Sequence, residues 1–270
     1  MPELPEVETS RRGIAPWVER QQISDVVIRE RRLRWPVPAE IDRNLPGQRV
    51  RALKRRAKYL LFETDAGTAM LHLGMSGSLR IIDQAEPAGK HDHVDIRFTS
   101  GKALRFRDPR RFGSLLWADT AADHQLLRHL GPEPLSKDFD GEHLYRRSRG
   151  RRVCVKQFIM DASVVVGVGN IYASEALFMA RIHPKRRAGR VAAGRYDRLA
   201  GAIRNVLERA IRAGGTTLRD FHGGDGEPGY FSQQLDVYGR AGDPCRACRH
   251  PLAVAVIGQR STYYCKRCQR

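Results

Sequence analysis

The sequence predicts an α+β chain: a short N-terminal helix leading into a β-sandwich, then a helical domain, then a small metal-held hairpin. Three observations predict it. From about residue 24 to 118 apolar residues alternate with period two between turn signals. Beyond Asp119 the apolar spacing becomes helical. The last 26 residues hold Cys245, Cys248, Cys265 and Cys268, two Cys-x2-Cys pairs with 16 residues between them.

The helix comes first. Leu4, Val7 and Ile14 recur at near-helical spacing, with Pro5 early and Glu6 and Glu8 in the first turn. This is a helix start, and Gly13 and Pro16 mark its expected end. Strands are expected at Val26–Ile28, Arg49–Leu53, Tyr59–Glu63, Ala69–Leu73, Ser78–Ile82, Val94–Phe98, Ala103–Phe106 and Ser114–Trp117. Asp65-Ala66-Gly67 and Ser100-Gly101-Lys102 read as hairpin turns. Eight short strands at this spacing argue a sandwich or flattened barrel. Ala121–Leu130, Glu142–Arg149, Val153–Asp161, Asn170–Arg181 and Ala192–Ala213 read as helices. Gly131-Pro132-Glu133-Pro134 punctuates the switch, which sets expected domains of 1–131, 132–234 and 235–270.

With 270 residues, roughly two ordinary domains are expected. Lys and Arg number 48 against 30 Asp and Glu, a net charge of +18. A chain this basic usually meets a polyanion. No apolar run nears the ~18 residues of a membrane span, and the N-terminus lacks a signal-peptide core. The expected location is the cytoplasm.

The two Cys pairs satisfy one tetrahedral Zn²⁺ and leave no open position, so the expected metal is a structural zinc. It would hold a hairpin too short to bury a core of its own. Cys154, in Val153-Cys154-Val155, reads as buried filler.

The basic residues come in groups: 29–34, 54–58, 105–111, 146–152 and 185–190. Together they suggest a continuous positive groove for a phosphate backbone. Three loops are more specific. His72-Leu73-Gly74-Met75-Ser76-Gly77 puts Met75 at a loop tip, as a core residue or as an apolar wedge. Asp108-Pro109-Arg110-Arg111-Phe112-Gly113 sets two cations beside an aromatic. Val166-Gly167-Val168-Gly169-Asn170 suits a tight turn whose N–H groups face a phosphate, with Asn170 as the cap of the next helix.

The first residues carry chemistry. Initiator Met is normally removed before Pro, which leaves Pro2 with a free secondary amine. An N-terminal amine titrates at about 7.7 to 8.0, well below Lys. Attack on a sugar aldehyde carbon gives an iminium that holds its charge without a proton. Glu3 is a carboxylate placed to move protons around that carbon. The helix dipole favours both roles. The reading needs an exposed imino nitrogen.

Together these residues resemble the bacterial formamidopyrimidine-DNA glycosylases, which are 8-oxoguanine DNA glycosylases with AP lyase activity. The similarity covers Pro2–Thr9, Arg55–Leu60, His72–Gly77, Lys90–Asp95, Asp108–Gly113, Val166–Glu175 and the four-Cys finger. It implies a catalytic β-sandwich domain, a helix–two-turns–helix DNA-binding domain and a zinc finger. It implies excision of oxidised purines, 8-oxoguanine and formamidopyrimidines, from duplex DNA, with β,δ-elimination, by a monomer at the bacterial nucleoid. By resemblance, Pro2 is the Schiff-base nucleophile and Glu3 the acid for base loss. Lys58 is the proton donor in β-elimination, and Arg260 is the finger residue tied to δ-elimination and phosphate binding. His91, Arg110, Arg151 and Asn170 are DNA contacts, with Met75, Arg110 and Phe112 filling the void left by the extruded base. Residues 214–230 resemble the loop over the flipped lesion. Around Arg151 the family often carries Lys, which changes the contact geometry. The endonuclease VIII type shares the amine chemistry but prefers oxidised pyrimidines. Residues 4–9 and the Met75, Arg110, Phe112 set favour the purine enzyme.

Overall fold

The computed structural model describes residues 2–215 and 234–270. They fall into two compact units, residues 2–128 with 213–215, and residues 129–212 with 234–270.

The first unit opens with α1 (Leu4–Val18). A reciprocal capping box closes its N-terminus, with the Glu3 N–H donating to Glu6 Oε2 at 2.8 Å. The helix ends at Val18, close to Pro16 as expected, although both Gly13 and Pro16 lie inside it. Ile14 and Val18 are fully buried on the face shared with Leu4 and Val7, and that burial carries the helix past Pro16.

Then come β1 (Ile23–Ile28), α2 (Ala39–Asn44), β2 (Ala52–Arg56), β3 (Tyr59–Glu63), β4 (Thr68–His72), β5 (Ser78–Asp83), β6 (Asp92–Phe98), β7 (Lys102–Arg107) and β8 (Ser114–Ala118). They build two four-stranded antiparallel sheets, ordered β1-β6-β7-β5 and β2-β3-β4-β8. Their inner faces meet in one core that includes Phe62, Leu71, Phe98, Leu104, Phe106 and Leu115, closed by α1. All eight expected strands form, although β2 starts later than expected. The backbone of Arg49 and Val50 pairs instead with residues 20–22. The six-residue α2 escaped the sequence reading because only Ile41 anchors it.

Some of the basic groups are absorbed inside the protein. Arg105, 2% exposed, donates to both carboxylate oxygens of Asp95 at 2.9 Å and to the carbonyls of Glu86 and Pro87. Arg29 reaches the same carboxylate at 2.6 Å. Burial disfavours the Asp95 anion, but Arg105 and Arg29 more than offset it and hold its pKa below the usual range. Removing one member of such a buried set leaves an uncompensated charge. Arg105→Met is therefore expected to cost about 3 kcal/mol of stability. Urea denaturation checks it; an unchanged midpoint would contradict it.

The second unit holds α3 (Gly141–Ser148), α4 (Val155–Met160), α5 (Asn170–Met179), α6 (Ala193–Arg212) and the hairpin β9 (Ala253–Ile257) with β10 (Arg260–Tyr264). Asp140 caps α3 through the His143 N–H at 2.7 Å. Both α3 and α5 pack on α6, whose buried face includes Tyr196, Leu199, Ile203, Val206 and Leu207. The expected helix over Ala121–Leu130 does not form beyond a 3-10 turn at Ala121–Asp123. Leu127 is its one buried side chain, so an amphipathic stripe is lacking.

Candidate active site and metal centre

In the first unit, α1 runs alongside β2 in the opposite direction. Glu8 bonds Arg55 at 3.0 Å, Arg11 reaches the Leu53 carbonyl at 3.3 Å, and Glu19 accepts from the Leu53 N–H at 2.9 Å. The N-terminal end of α1, carrying Pro2 and Glu3, therefore points towards the Ala57-Lys58 turn between β2 and β3. Ala57 sits there at φ 54°, and Arg55 braces its carbonyl at 2.9 Å.

With Met1 in place both Pro2 and Glu3 are buried, whereas the expected exposed imino nitrogen belongs to the chain that has lost Met1. In the full chain that nitrogen is still an amide joined to Met1, and only removal of Met1 makes it an amine.

Lys58, Tyr59, His72 and Ser114 mark one end of the second sheet, where Tyr59 pairs with His72 and His72 with Ser114. Burial first, then the cations Lys58 and Arg34, pull the His72 pKa down to about 4. The imidazole is thus neutral at physiological pH. Its Nδ1 accepts from the Gly74 N–H at 2.9 Å, which leaves the proton on Nε2. Nothing in the sequence pattern singled out His72 in this role.

The two loops expected to fill a void lie at this same end. Met75 is 36% and Phe112 43% exposed, and the Arg110 guanidinium stacks over the Phe112 ring at 4.8 Å. His91 is half-buried next to them, and its carbonyl accepts from the Asp108 N–H at 3.0 Å.

In the second unit, Gly167 takes φ +79° in the turn before α5. The cap of α5 is Gly169 rather than Asn170. Asn170 is free of capping duty because its side chain is used elsewhere. Its Oδ1 accepts from Lys156 Nζ at 2.5 Å, and its Nδ2 donates to the Ser261 carbonyl at 3.0 Å. Lys156 is 1% exposed and also donates to Thr262 Oγ1 at 2.6 Å. The sequence reading missed this lysine; a cation set between apolar Val155 and the Phe158-Ile159 pair was the available signal. Arg260 is exposed at the start of β10, beside the Gly258-Gln259 turn. Arg151 is exposed after α3, and its carbonyl accepts from the Gly189 N–H at 3.0 Å. Glu175, deep in α5, accepts the N–H groups of Asp236, Val237 and Tyr238 at 2.8–2.9 Å. Burial pushes the Glu175 pKa up, against the pull of those three donors.

The four finger sulfurs lie within 4.8 Å of one another, with contacts of 3.9 Å for Cys245–Cys268 and 3.5 Å for Cys248–Cys265. Zn–S bonds of about 2.3 Å in a tetrahedron set the sulfurs ~3.8 Å apart. The fit is to one structural zinc, bound by Cys245, Cys248, Cys265 and Cys268. Without a cation the thiols oppose one another. The His250 backbone first pulls Cys248 down to about 7, while burial first, then the neighbouring sulfurs, push Cys268 up to about 12. A divalent metal removes that conflict. Gln269 ties the finger to the carbonyl after α5, donating to Ile182 O at 2.9 Å. The expectation that Cys154 is buried filler is overturned. It is half-buried before α4, 3.1 Å from Gln157 Oε1. Of residues 214–230, only Gly214 and Gly215 lie among the described residues, and Gly215 rests against Glu6.

Comparison with known proteins gives three domain matches. Residues 1–115 match the formamidopyrimidine-DNA glycosylase N-terminal domain. Residues 130–222 match the formamidopyrimidine-DNA glycosylase H2TH domain. Residues 242–270 match the zinc finger found in FPG and IleRS. The formamidopyrimidine-DNA glycosylase of Stutzerimonas stutzeri is 60% identical over 270 residues, covering 100% of both chains. That of Pseudomonas aeruginosa is 58% identical over the same 270 residues. Among solved structures, a Lactococcus lactis FPG variant in complex with Fapy-dG-containing DNA superimposes with a TM-score of 0.92, at 30% identity and 100% coverage of both chains. The MutM (FPG) protein of Thermus thermophilus gives a TM-score of 0.89 at 39% identity, covering 99% of this chain and 98% of its own.

Proposed function

The chain belongs to the formamidopyrimidine-DNA glycosylase family, bifunctional DNA glycosylase/AP lyases that excise oxidised purines, and we propose that its own reaction runs through Pro2, Glu3 and Lys58. The observation that carries this reading is that the N-terminus of α1 points towards the Lys58 turn, and that this turn lies at the same sheet end as the loops of Met75 and Phe112. The substrate is duplex DNA containing 8-oxoguanine or a formamidopyrimidine. The chain acts as a monomer in the bacterial cytoplasm, at the nucleoid. No described helix is long and apolar enough to cross a membrane.

A buried nucleophile requires the damaged nucleotide to leave the stack, at a cost of a few kcal/mol. Met75, Arg110 and Phe112 occupy the gap. With Met1 removed, the Pro2 nitrogen attacks C1′ and the glycosidic electron pair leaves with the base, which takes up the proton shed by that nitrogen; the C1′–O4′ bond then breaks to give the iminium as Glu3 protonates the ring oxygen. The resulting iminium draws electrons from the C2′–H bond. Loss of that proton expels the 3′ phosphate, with Lys58 serving proton transfer. A second elimination expels the 5′ phosphate, with Arg260 holding phosphate charge. Asn170, Arg151 and His91 contact the backbone. The zinc keeps Arg260 and its hairpin folded.

The test uses a duplex with 8-oxoguanine opposite C. The native chain leaves phosphate on both sides of a one-nucleotide gap. Glu3→Gln is expected to slow base release about 10²-fold while still cutting a preformed abasic site. Equal release by the variant would remove Glu3 from the mechanism. A hydroxyl end, as a hydrolytic cut leaves, would remove the lyase chemistry.

A further inference from the structure

The two exposed loops that carry Met75 and Phe112 are separate in sequence but built as one body. Both are crossovers between the sheets. The first leads from β4 to β5 and the second from β7 to β8. At one end of the pair His72 is opposite Ser114, and at the other Ser78 is opposite Arg107. The loops therefore run side by side over one corner of the sandwich.

Their backbones touch. Gly74 is at φ +68°, and a Cβ there would lie 2.4 Å from the Phe112 carbonyl carbon and the Gly113 nitrogen. Polar groups fasten the contact. Asp108 is fully buried, and its Oδ1 accepts from Ser76 Oγ at 2.6 Å. The Arg110 N–H donates to Ser76 Oγ at 3.2 Å and to Asp108 Oδ1 at 3.3 Å. The Gly113 N–H donates to Asp108 Oδ2 at 2.8 Å. His93 Nε2 meets the Asp108 carbonyl at 2.7 Å. One carboxylate thus organises the second loop, and Ser76, 5% exposed, joins the first loop to it.

We propose that the Ser76–Asp108 pair is a latch that makes Met75 and the stacked Arg110–Phe112 pair enter DNA as a single rigid wedge. Ser76 and Asp108 are positioning residues, because neither presents a side chain to solvent. The inference rests on the wedge role given above to Met75, Arg110 and Phe112. A wedge whose two halves hold a fixed separation loses little freedom on insertion, so its contacts go into opening the duplex. Without the latch, each half must be ordered separately during extrusion.

The test is a double-mutant cycle on Ser76→Ala and Met75→Ala. It reads the rate of base extrusion from a fluorescent base next to 8-oxoguanine, together with excision. Cleavage of an abasic site in single-stranded DNA, which needs no wedge, is the control. Ser76→Ala is expected to slow extrusion about tenfold and to lower the thermal midpoint through the lost buried hydrogen bond, while single-strand cleavage by the folded variant stays near native. Ser76→Thr, which keeps the hydroxyl, is expected to restore the rate. In the Met75→Ala background, Ser76→Ala is expected to add little. Full additivity, or an unaltered extrusion rate in Ser76→Ala, overturns the latch. If Met75→Ala alone extrudes at the native rate, the wedge reading itself falls. If Ser76→Ala does not fold, an Asp108→Asn cycle with Met75→Ala replaces it and is judged by the same additivity.

Discussion

Pro2→Gly is expected to lower strand cleavage at 8-oxoguanine on the order of 10³-fold, as loss of an oriented nucleophile does. The variant would still present an amine after Met1 is removed, so the loss does not come from deleting nitrogen. It comes from what the pyrrolidine ring fixes. The ring locks φ and holds the lone pair in one direction at the buried start of α1. A secondary amine also gives an iminium that stays cationic without a proton, whereas the imine from a primary amine must first be protonated to draw electrons from C2′–H. Borohydride should trap the native chain on lesion DNA through residue 2, and Pro2→Gly poorly. Chain that retains Met1, identified by mass spectrometry, should not be trapped through residue 2, because the Pro2 nitrogen is then an amide. Native-rate cleavage by Pro2→Gly would move the nucleophile elsewhere.

Removal of zinc is expected to weaken binding to lesion duplex on the order of 10³-fold, leaving only the non-specific affinity of a basic protein. β9 and β10 are five residues each, and a lone two-stranded hairpin is marginal in water. The buried cluster around them is Val237, Leu252, Cys245 and Cys265, so two of its four members are metal ligands. Structural zinc contributes about 10–16 kcal/mol to such sites. When the hairpin melts, Lys156 loses Thr262 and Asn170 loses the Ser261 carbonyl. The damage therefore reaches α4 and α5, not Arg260 alone. Anisotropy with labelled lesion duplex, before and after chelation, measures the loss. Far-UV circular dichroism should show that α3 and α6 remain. Native affinity in metal-free protein would separate the finger from recognition.

What the sequence determined by itself was whatever is written in short-range pattern. Period-two alternation placed eight strands because each side of a sheet must satisfy a different solvent. Two Cys-x2-Cys pairs specified the metal because coordination chemistry allows few alternatives. Loop tips at Met75 and Phe112 followed from flanking Gly and Pro. The motifs that carry the resemblance, spread from Pro2 to the four-Cys finger, identified the family.

What only the tertiary structure decided was how side chains far apart in sequence are shared out among partners. Arg55 and Arg105 read as members of basic patches, yet they neutralise Glu8 and Asp95 inside the fold. Asn170 read as a helix cap, yet Lys156 and Ser261 claim its side chain. Ser76 and Asp108 are 32 positions apart and meet only because two crossovers share a corner. Ala121–Leu130 had helical spacing but one buried anchor, so the helix did not form. The physical reason is the same in each case. A charge or a hydrogen-bonding group is stabilised by its partner, and the partner is fixed by topology, which local pattern does not contain.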